Sequence, residues 1–335
     1  MQNQHVHTPL QDTQPLISFI ITCYDLSVDM LRECIDSILA LSMTPSEREI
    51  ILIDDGSENS PMNSLMAYGS ELLYVRQNHA GVSVARNHGM RMAKGKYIQF
   101  VDGDDYLLAD AYDHCLDIIR QFEDADIVLF DFTRKIPNHS TVSLPPRHYE
   151  TTGVEFMHNN NLHGAVWCCL FRQAVRGTLE FTPGICYGED EEFTAQLLLR
   201  AESVWHTTTQ AYFYRSHSGS AVNQTDDESM QKRLDDTHAV IQHLHYIADR
   251  LPQNDRLALQ RRVAQLTMDY IYNTIMLKRS STALDSLIAD LKKEGLFPLP
   301  ARDYSTKYTW FRRLINTAVG RRLLLHTLPL LKKER

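Results

Sequence analysis

Lys96-Tyr97-Ile98-Gln99-Phe100-Val101-Asp102-Gly103-Asp104-Asp105 is an apolar strand running into three carboxylates within four residues. A buried strand that ends this way meets solvent at its carboxyl end, where a hard cation can be held against an anionic ligand. Asp and Gly also build plain solvated turns, so for the cluster taken alone that account stands beside the metal site. A calcium loop of the EF-hand kind is excluded, because Leu107 and Asp113 stand where its glycine and closing glutamate belong.

The same strand-and-polar-end unit recurs on both sides of this stretch. Ile17 to Cys23 reads as a strand, Val28 to Leu41 as an amphipathic helix, and Glu49 to Ile53 as a strand ending in Asp54-Asp55-Gly56-Ser57. A short helix near Pro61 to Tyr68, a strand from Leu72 to Val75 and a helix from about Gly81 to Ala93 come before the carboxylate strand. The helix Ala109 to Phe122 and the strand Asp126 to Phe132 come after it. Such alternation predicts an α/β fold, a doubly wound and mostly parallel sheet flanked by helices, with ligands beyond the carboxyl ends of its strands. The polar clusters 22–25, 54–57 and 102–105 then converge on one crevice. No glycine-rich phosphate loop of the dinucleotide or P-loop type is present, so the charge of a bound diphosphate falls to a metal.

Pro137 to Arg147 reads as a loop, Gly153 to Asn159 as a helical turn, and Ala165 to Phe171 as an apolar stretch. Tyr187-Gly188-Glu189-Asp190-Glu191-Glu192-Phe193 opens a helix through Arg200, and Val204 to Arg215 suggests one more strand. From about Asp226 the pattern changes to long helices, in outline 229–250, 256–278, 281–293 and 309–331. The expected organisation is a disordered leader over 1–15, an α/β domain over 16–225 and a C-terminal helical appendage over 226–335.

The formal net charge is -8, unevenly spread: residues 307–335 hold eight Lys and Arg against one acid, a tail of +7 on a body of -15. An acidic body argues against nucleic acid as a partner. In the tail, Trp310, Phe311, Leu314, Ile315 and Leu323 to Leu325 alternate with Arg pairs. That describes an amphipathic helix suited to anionic lipid, and equally one solvated or docked on the acidic body. No run approaches the roughly 20 apolar residues of a membrane span, and Met1 to Pro15 lacks the apolar core of a secretory signal. The six cysteines show no paired spacing and read as buried thiols of a reducing compartment. A soluble or peripheral protein of the cytoplasm is expected.

The order of the motifs carries a resemblance. They run Ile17-Ser18-Phe19-Ile20-Ile21-Thr22-Cys23-Tyr24-Asp25, Ile53-Asp54-Asp55-Gly56-Ser57, Asn78 through Gly81, Ala85-Arg86-Asn87-His88-Gly89, Ala93 through Asp105, and Gly188-Glu189-Asp190. Over about residues 16–220 the chain resembles glycosyltransferase family 2, the inverting enzymes of the GT-A fold. The resemblance implies a nucleotide-sugar donor, a UDP-sugar above others, held in the half of the domain before about residue 135. It implies that Thr22 and Tyr24 contact the nucleoside, Asp55 reads the uracil edge, Asp102 lies near the ribose and Asp104 binds Mn²⁺ or Mg²⁺. Arg86 would help hold phosphate, and Asp190 would be the general base, an inverting transfer needing a carboxylate on the face opposite the departing diphosphate.

The acceptor half, about 136–225, offers Trp167, Glu189 and His217 as candidates, with His163 and the aromatic run from Tyr212 beside them. A glycan or lipid-linked acceptor of surface polysaccharide synthesis, met at the inner face of the membrane, would suit the basic tail.

Ordinary accounts stand next to each assignment: a strand-end aromatic for Tyr24, a turn residue for Asp55, a helix-surface charge for Arg86, an acidic first helical turn for Glu189 to Glu192, and core packing for Trp167 and Phe213. The helix dipole favours an ionised Asp190 while its acidic neighbours oppose it. Asp25 replaces the family's usual Asn, and Thr22-Cys23 its frequent Pro-Val, which bears on donor fit. A catalytically silent nucleotide-sugar-binding protein is the alternative from another class. A nucleotidyltransferase is disfavoured by the missing Gly-rich, Arg/Lys-bearing first loop.

Overall fold

The computed structural model describes residues 14–135, 147–216 and 226–331. The chain begins with β1 (Ile17–Cys23), α1 (Val28–Leu39), β2 (Arg48–Asp54), α2 (Met62–Leu65) and β3 (Leu72–Arg76). It continues through α3 (Val82–Met92), β4 (Tyr97–Asp102), β5 (Tyr106–Leu107), α4 (Ala109–Gln121) and β6 (Ile127–Thr133). Next come β7 (His148–Thr151), α5 (Gly153–Asn159), β8 (Cys169–Arg172), α6 (Gln173–Arg176), α7 (Glu189–Leu198) and β9 (Val204–Phe213). Five helices close it: α8 (Asp227–Ala248), α9 (Gln253–Lys278), α10 (Ser281–Lys293), α11 (Thr306–Ile315) and α12 (Ala318–Leu331).

The strands form one mixed sheet in the order β3-β2-β1-β4-β8-β6-β9-β5, with β7 also on β9. β1 to β4 are mutually parallel, and the near-continuous burial of β1, β2 and β4 is what helices on both faces of a parallel sheet require, β3 being a partly exposed edge strand. The chain runs outward from β1 to β3 and returns to the other side of β1 as β4, so the order reverses between β1 and β4. There the crevice opens, beyond the carboxyl ends of the strands. Register sets Thr22 opposite Asp102 and Cys23 opposite Asp54, which brings the three polar clusters level, as the sequence led us to expect.

Alternation along each strand divides the apolar side chains between two cores. Phe19, Ile21, Leu52 and Val101 pack with Leu31, Ile35 and Ile38 of α1 and Leu116 and Ile119 of α4. Ile20, Ile51 and Phe100 face the other way, and that core runs on without a break into Leu234, Ile241, Ile271, Leu291 and Ile315 of the C-terminal helices. The appendage thus covers one face of the sheet.

Two expectations are corrected. The apolar stretch Ala165 to Phe171 holds a 3-10 turn, Val166–Cys168, and then β8, an antiparallel strand inserted between β4 and β6. Four residues, the first three all buried, carry no alternation to reveal a strand. The pattern 309–331 is two helices: Asn316 exchanges hydrogen bonds with the backbone of Leu299 (3.0 and 2.9 Å), and the Thr317 hydroxyl accepts from Gly320 N–H at 3.0 Å to start α12. Gly320 lies so close to Leu314 that a Cβ would stand 2.0 Å from its carbonyl oxygen, which lets α12 fold back on α11. Ile315 and Leu324 are buried, so this tail is docked on the helical region through one side only. The expected loop over Pro137 to Arg147 falls almost wholly outside the described residues, as does most of the leader.

Asp25 gains a local explanation. Its backbone is left-handed (φ +48°), its N–H donates to Ser57 Oγ at 2.9 Å, and its Oδ1 accepts from Glu58 N–H at 2.7 Å, joining the ends of β1 and β2. Asn and Asp are the side chains that tolerate this conformation. Asp25→Asn is therefore expected to change stability by less than about 0.5 kcal/mol. Asp25→Ala should cost about 1–2 kcal/mol, read by denaturant titration.

Candidate active site

A cleft of about 1310 Å³ opens at the β1/β4 switch point, larger than the pocket of one small ligand and wide enough for two substrates. Thr22, Tyr24, Asp55, Arg86, Asp102, Asp104, Trp167, Glu189 and Asp190 all line it, so the structure brings together every proposed site residue that it describes. His217 lies outside the described residues. Five of the six cysteines are buried, and Cys186 is exposed and lines the cleft. Cys23 is pushed up to about 12 by burial and by Asp54 and Asp55, so it is an inert thiol.

One end of the cleft carries ring surfaces and amide-type groups. Tyr24, half exposed, stacks on His79 with centroids 4.1 Å apart. Asp55 is buried beneath them and accepts from Gln77 Nε2 (2.7 Å), Ala80 N–H (2.9 Å) and Gly81 N–H (2.8 Å), with His79 Nδ1 at 2.9 Å. It orders the 77–81 loop. Gly56 permits the close pass, since at φ +84° a Cβ there would meet His79 N at 2.7 Å. His79 was not singled out in the sequence, although the motif Asn78 through Gly81 contains it.

The three carboxylates of the opening stretch have separate surroundings. Asp105 is buried and turns inward, accepting from Tyr212 Oη–H at 2.9 Å and Arg215 N–H at 2.7 Å. Burial and its two acidic neighbours push it up to about 8. Asp102 Oδ1 accepts from Arg86 Nη2 at 3.1 Å. Asp104 also lines the cleft wall, and its backbone carbonyl accepts from Arg215 Nε at 2.8 Å. Among the described residues no three His, Cys, Asp or Glu side chains converge to cage a metal. A divalent ion bound here would have to take most of its ligands from diphosphate and water, with few from the carboxylates of the cleft wall.

Arg86 is buried rather than on a helix surface. Nη1 donates to Glu189 Oε1 (3.0 Å) and Asp190 Oδ1 (2.5 Å), while Nη2 holds Asp102. Ser83 and Asn87 lie on the same face of α3: Ser83 Oγ–H donates to Ile185 C=O at 2.9 Å, and Asn87 exchanges two 2.8 Å bonds with the Phe181 backbone. Asp190 Oδ2 also accepts from Val166 N–H at 3.3 Å. Burial raises the pKa of Asp102, Glu189 and Asp190, and Arg86 opposes the rise in each. The question left open by the helix dipole is thus settled mainly by desolvation.

Trp167 is mostly buried, stacked on Tyr212 at 4.4 Å and edge-on to Phe132 at 5.1 Å, so core packing accounts for most of its surface and only an edge faces the cleft. The opposite wall was missed in the sequence: Glu228, Ser229, Gln231, Lys232 and Asp235 of α8 line it. Nothing in their local pattern distinguishes them from an ordinary solvated helix face.

Comparison with known proteins agrees with this architecture. A model of "Glycosyl transferase family 2" matches residues 18–178. "Uncharacterized glycosyltransferase EpsJ" of Bacillus subtilis is 30% identical over 237 residues, 65% of this chain and 67% of that one. A crystal structure of S. aureus TarS superposes with a TM-score of 0.65 at 16% identity over 93% of this chain and 54% of that one; a TarS 1–349 structure in complex with UDP-GlcNAc gives 0.55, over 90% of each. Mannosyltransferase PcManGT from Pyrobaculum calidifontis, in complex with GDP-Man and Mn²⁺, gives 0.53 at 12% identity over 96% and 88%. At these identities the structural likeness establishes the fold. The protein is a glycosyltransferase with a GT-A-type fold, and the chain belongs to glycosyltransferase family 2.

Arg86→Met should destabilise the fold by about 3–5 kcal/mol, because it leaves buried carboxylates without their cation. With that cation gone their folded-state pKa values rise further above the unfolded ones, so the deficit is smallest in acid and grows as pH rises through that window. Denaturant titrations of parent and variant between acidic and neutral pH check both sign and size.

Proposed function

We propose that the protein is an inverting glycosyltransferase that moves a sugar, a hexosyl or N-acetylhexosaminyl unit, from a UDP-sugar to a hydroxyl of a glycan or lipid-linked acceptor in surface polysaccharide synthesis. The observation that carries this reading is the position of Asp190, at the junction of the donor wall and the α8 wall, held by the same guanidinium that holds Asp102. Tyr24 and His79 offer a stacking surface to a base, and Asp55 an acceptor for its N–H once one of its loop donors yields. Asp102, in the same cleft, would face a ribose hydroxyl. Asp104 would hold Mn²⁺ or Mg²⁺, which supplies countercharge to the departing diphosphate. The UDP-GlcNAc held by TarS and the Mn²⁺ held by PcManGT support these two choices.

Asp190 takes the proton of the acceptor hydroxyl as that oxygen attacks the anomeric carbon from the face opposite the diphosphate. A raised pKa makes its carboxylate a stronger base than an exposed aspartate, provided it is ionised at the working pH. Arg86 opposes the rise in its pKa and holds the carboxylate in place.

The tail supports contact with an anionic membrane from the cytoplasmic side. Trp310, Val319, Leu323 and Leu330 are exposed on α11 and α12, next to exposed Lys307, Arg313 and Arg322. No helix among the described residues is long and apolar enough to cross a membrane. Arg313→Glu with Arg322→Glu is expected to weaken sedimentation with phosphatidylserine vesicles by about 1 kcal/mol per charge removed, leaving neutral vesicles unaffected.

Asp190→Asn should lower turnover by roughly 10²- to 10⁴-fold while UDP binding, read by calorimetry, is retained. Near-parental turnover in that variant would remove the base assignment. Activity needs the ionised carboxylate, and burial raises its pKa, so the acid limb of kcat/KM is expected above the ordinary aspartate value of about 3.9.

A further inference from the structure

The segment that bears Asp190 is gripped from two sides. α3 holds it from the sheet through Ser83, Arg86 and Asn87, as described above. The second grip comes from the C-terminal helices, and no part of the matched family region contains it. Asp236, buried on α8, accepts from Cys186 N–H (2.8 Å) and Tyr187 N–H (3.2 Å) with one carboxylate oxygen. Its other oxygen takes Lys232 Nζ at 2.6 Å, and Lys232 also donates to Gly184 C=O at 2.8 Å. These bonds fix the strand of backbone that enters Gly188, whose left-handed φ of +87° aims the next residue into α7.

Within α7 the two acids that follow the base each meet a side chain of the appendage. Arg262 of α9, buried, pairs with Glu191, and His243 of α8 pairs with Glu192. Gly164 presses on the same turn so closely that a Cβ there would overlap the Glu191 carboxylate. Behind Arg262, Asp269 of α9 accepts from Tyr308 Oη of α11 at 2.9 and 2.7 Å. Contacts therefore run from the tail through α9 to the first turn of α7.

We propose that the helical appendage is a working part of the catalytic centre, with Asp236 and Arg262 as positioning residues that set Asp190 against the acceptor hydroxyl. The inference rests on the reading of Asp190 as the base. Neither residue touches substrate in this account. Asp236 fixes where the helix begins, and Arg262 fixes its rotation by anchoring the residue that follows the base. A carboxylate that must abstract a proton within hydrogen-bond reach tolerates little displacement, and misplacement by about 1 Å can cost roughly 100-fold in rate. The same helix α8 lines the cleft with Gln231, Lys232 and Asp235, so one helix both walls the cleft and holds the loop that leads to the base.

The test uses the full-length chain and the substitutions Asp236→Ala and Arg262→Met, with Asp236→Asn and Arg262→Lys as the conservative counterparts. Amide exchange is read without ligand; UDP release is read with whichever of UDP-glucose, UDP-galactose and UDP-GlcNAc the parent hydrolyses fastest. Exchange is expected to quicken in peptides covering 185–192 while β1 to β4 keep their protection. kcat should fall about 10- to 100-fold with the donor KM nearly unchanged, and the conservative variants should recover most of it. In an Asp190→Asn background Asp236→Ala and Arg262→Met should lower the residual rate no further, since they act through that carboxylate.

Unchanged exchange over 185–192, a preserved kcat, or losses that multiply with that of Asp190→Asn would each overturn the inference while leaving the base reading in place. Parental turnover by Asp190→Asn alone would instead overturn the base reading, and this inference with it.

Discussion

One buried guanidinium organises this molecule's chemistry. Arg86 binds the carboxylates at the end of β4 and at the start of α7, two elements separated by about a hundred residues of chain. A lone buried cation would be strongly disfavoured, and so would three crowded acids, one buried and two partly buried, so each set is stabilised here by the other. The network therefore specifies geometry more than it adds stability. It places the carboxylate proposed to take a proton at a fixed distance from the one proposed to face the ribose, and Phe100 and Phe181 beside the guanidinium leave it little room to swing.

That constraint explains why some of the site was legible in the sequence. Parallel strands buried on both faces give continuous apolar runs, so β1, β2 and β4 declare themselves. Their carboxyl ends must be level, and Thr22, Asp55 and Asp102 to Asp105 could be assigned to one crevice before any contact was known. β8 and the break between α11 and α12 were hidden for opposite reasons: one is too short to show a period, and the other keeps an amphipathic pattern across a turn made by Asn316 and Leu299. Arg86 itself was ambiguous, since a cation on a helix reads the same whether its partners are water or acids a hundred residues away.

The acidic run 189–192 shows the limit most clearly. Local reasoning sees four like charges in one helical turn and predicts mutual repulsion offset by the dipole. In the structure the four acids answer to three partners: Arg86 for Glu189 and Asp190, Arg262 for Glu191, and the His243 ring for Glu192. Those partners come from α3, α8 and α9, and no spacing rule links them. The one local hint was Arg261-Arg262 inside the otherwise apolar register of α9. Both are buried, Arg261 binding the carbonyls of Met157 and Asn160 at the end of α5.

The charge of the cleft bears on how a donor would enter it. Nine carboxylates line it (Asp55, Asp102, Asp104, Asp105, Glu189, Asp190, Glu191, Glu228 and Asp235) against Arg86, Arg134 and Lys232. Two of those cations are engaged, Arg86 by three acids and Lys232 by Asp236, and the low dielectric of a half-closed cleft strengthens what remains. A bare diphosphate approaching such a wall meets like charge. Under the proposed function the donor therefore arrives with its own countercharge, and a protein that lacks a phosphate-binding loop needs only one well-placed carboxylate to receive that ion. Under that reading Asp104, which lines the cleft, would serve as this carboxylate, while Asp102 binds Arg86 and Asp105 turns inward to Tyr212 and Arg215. The fold thus gives Asp102 and Asp105 different surroundings, the first drawn to Arg86 on α3 and the second to Tyr212 and Arg215 at the end of β9.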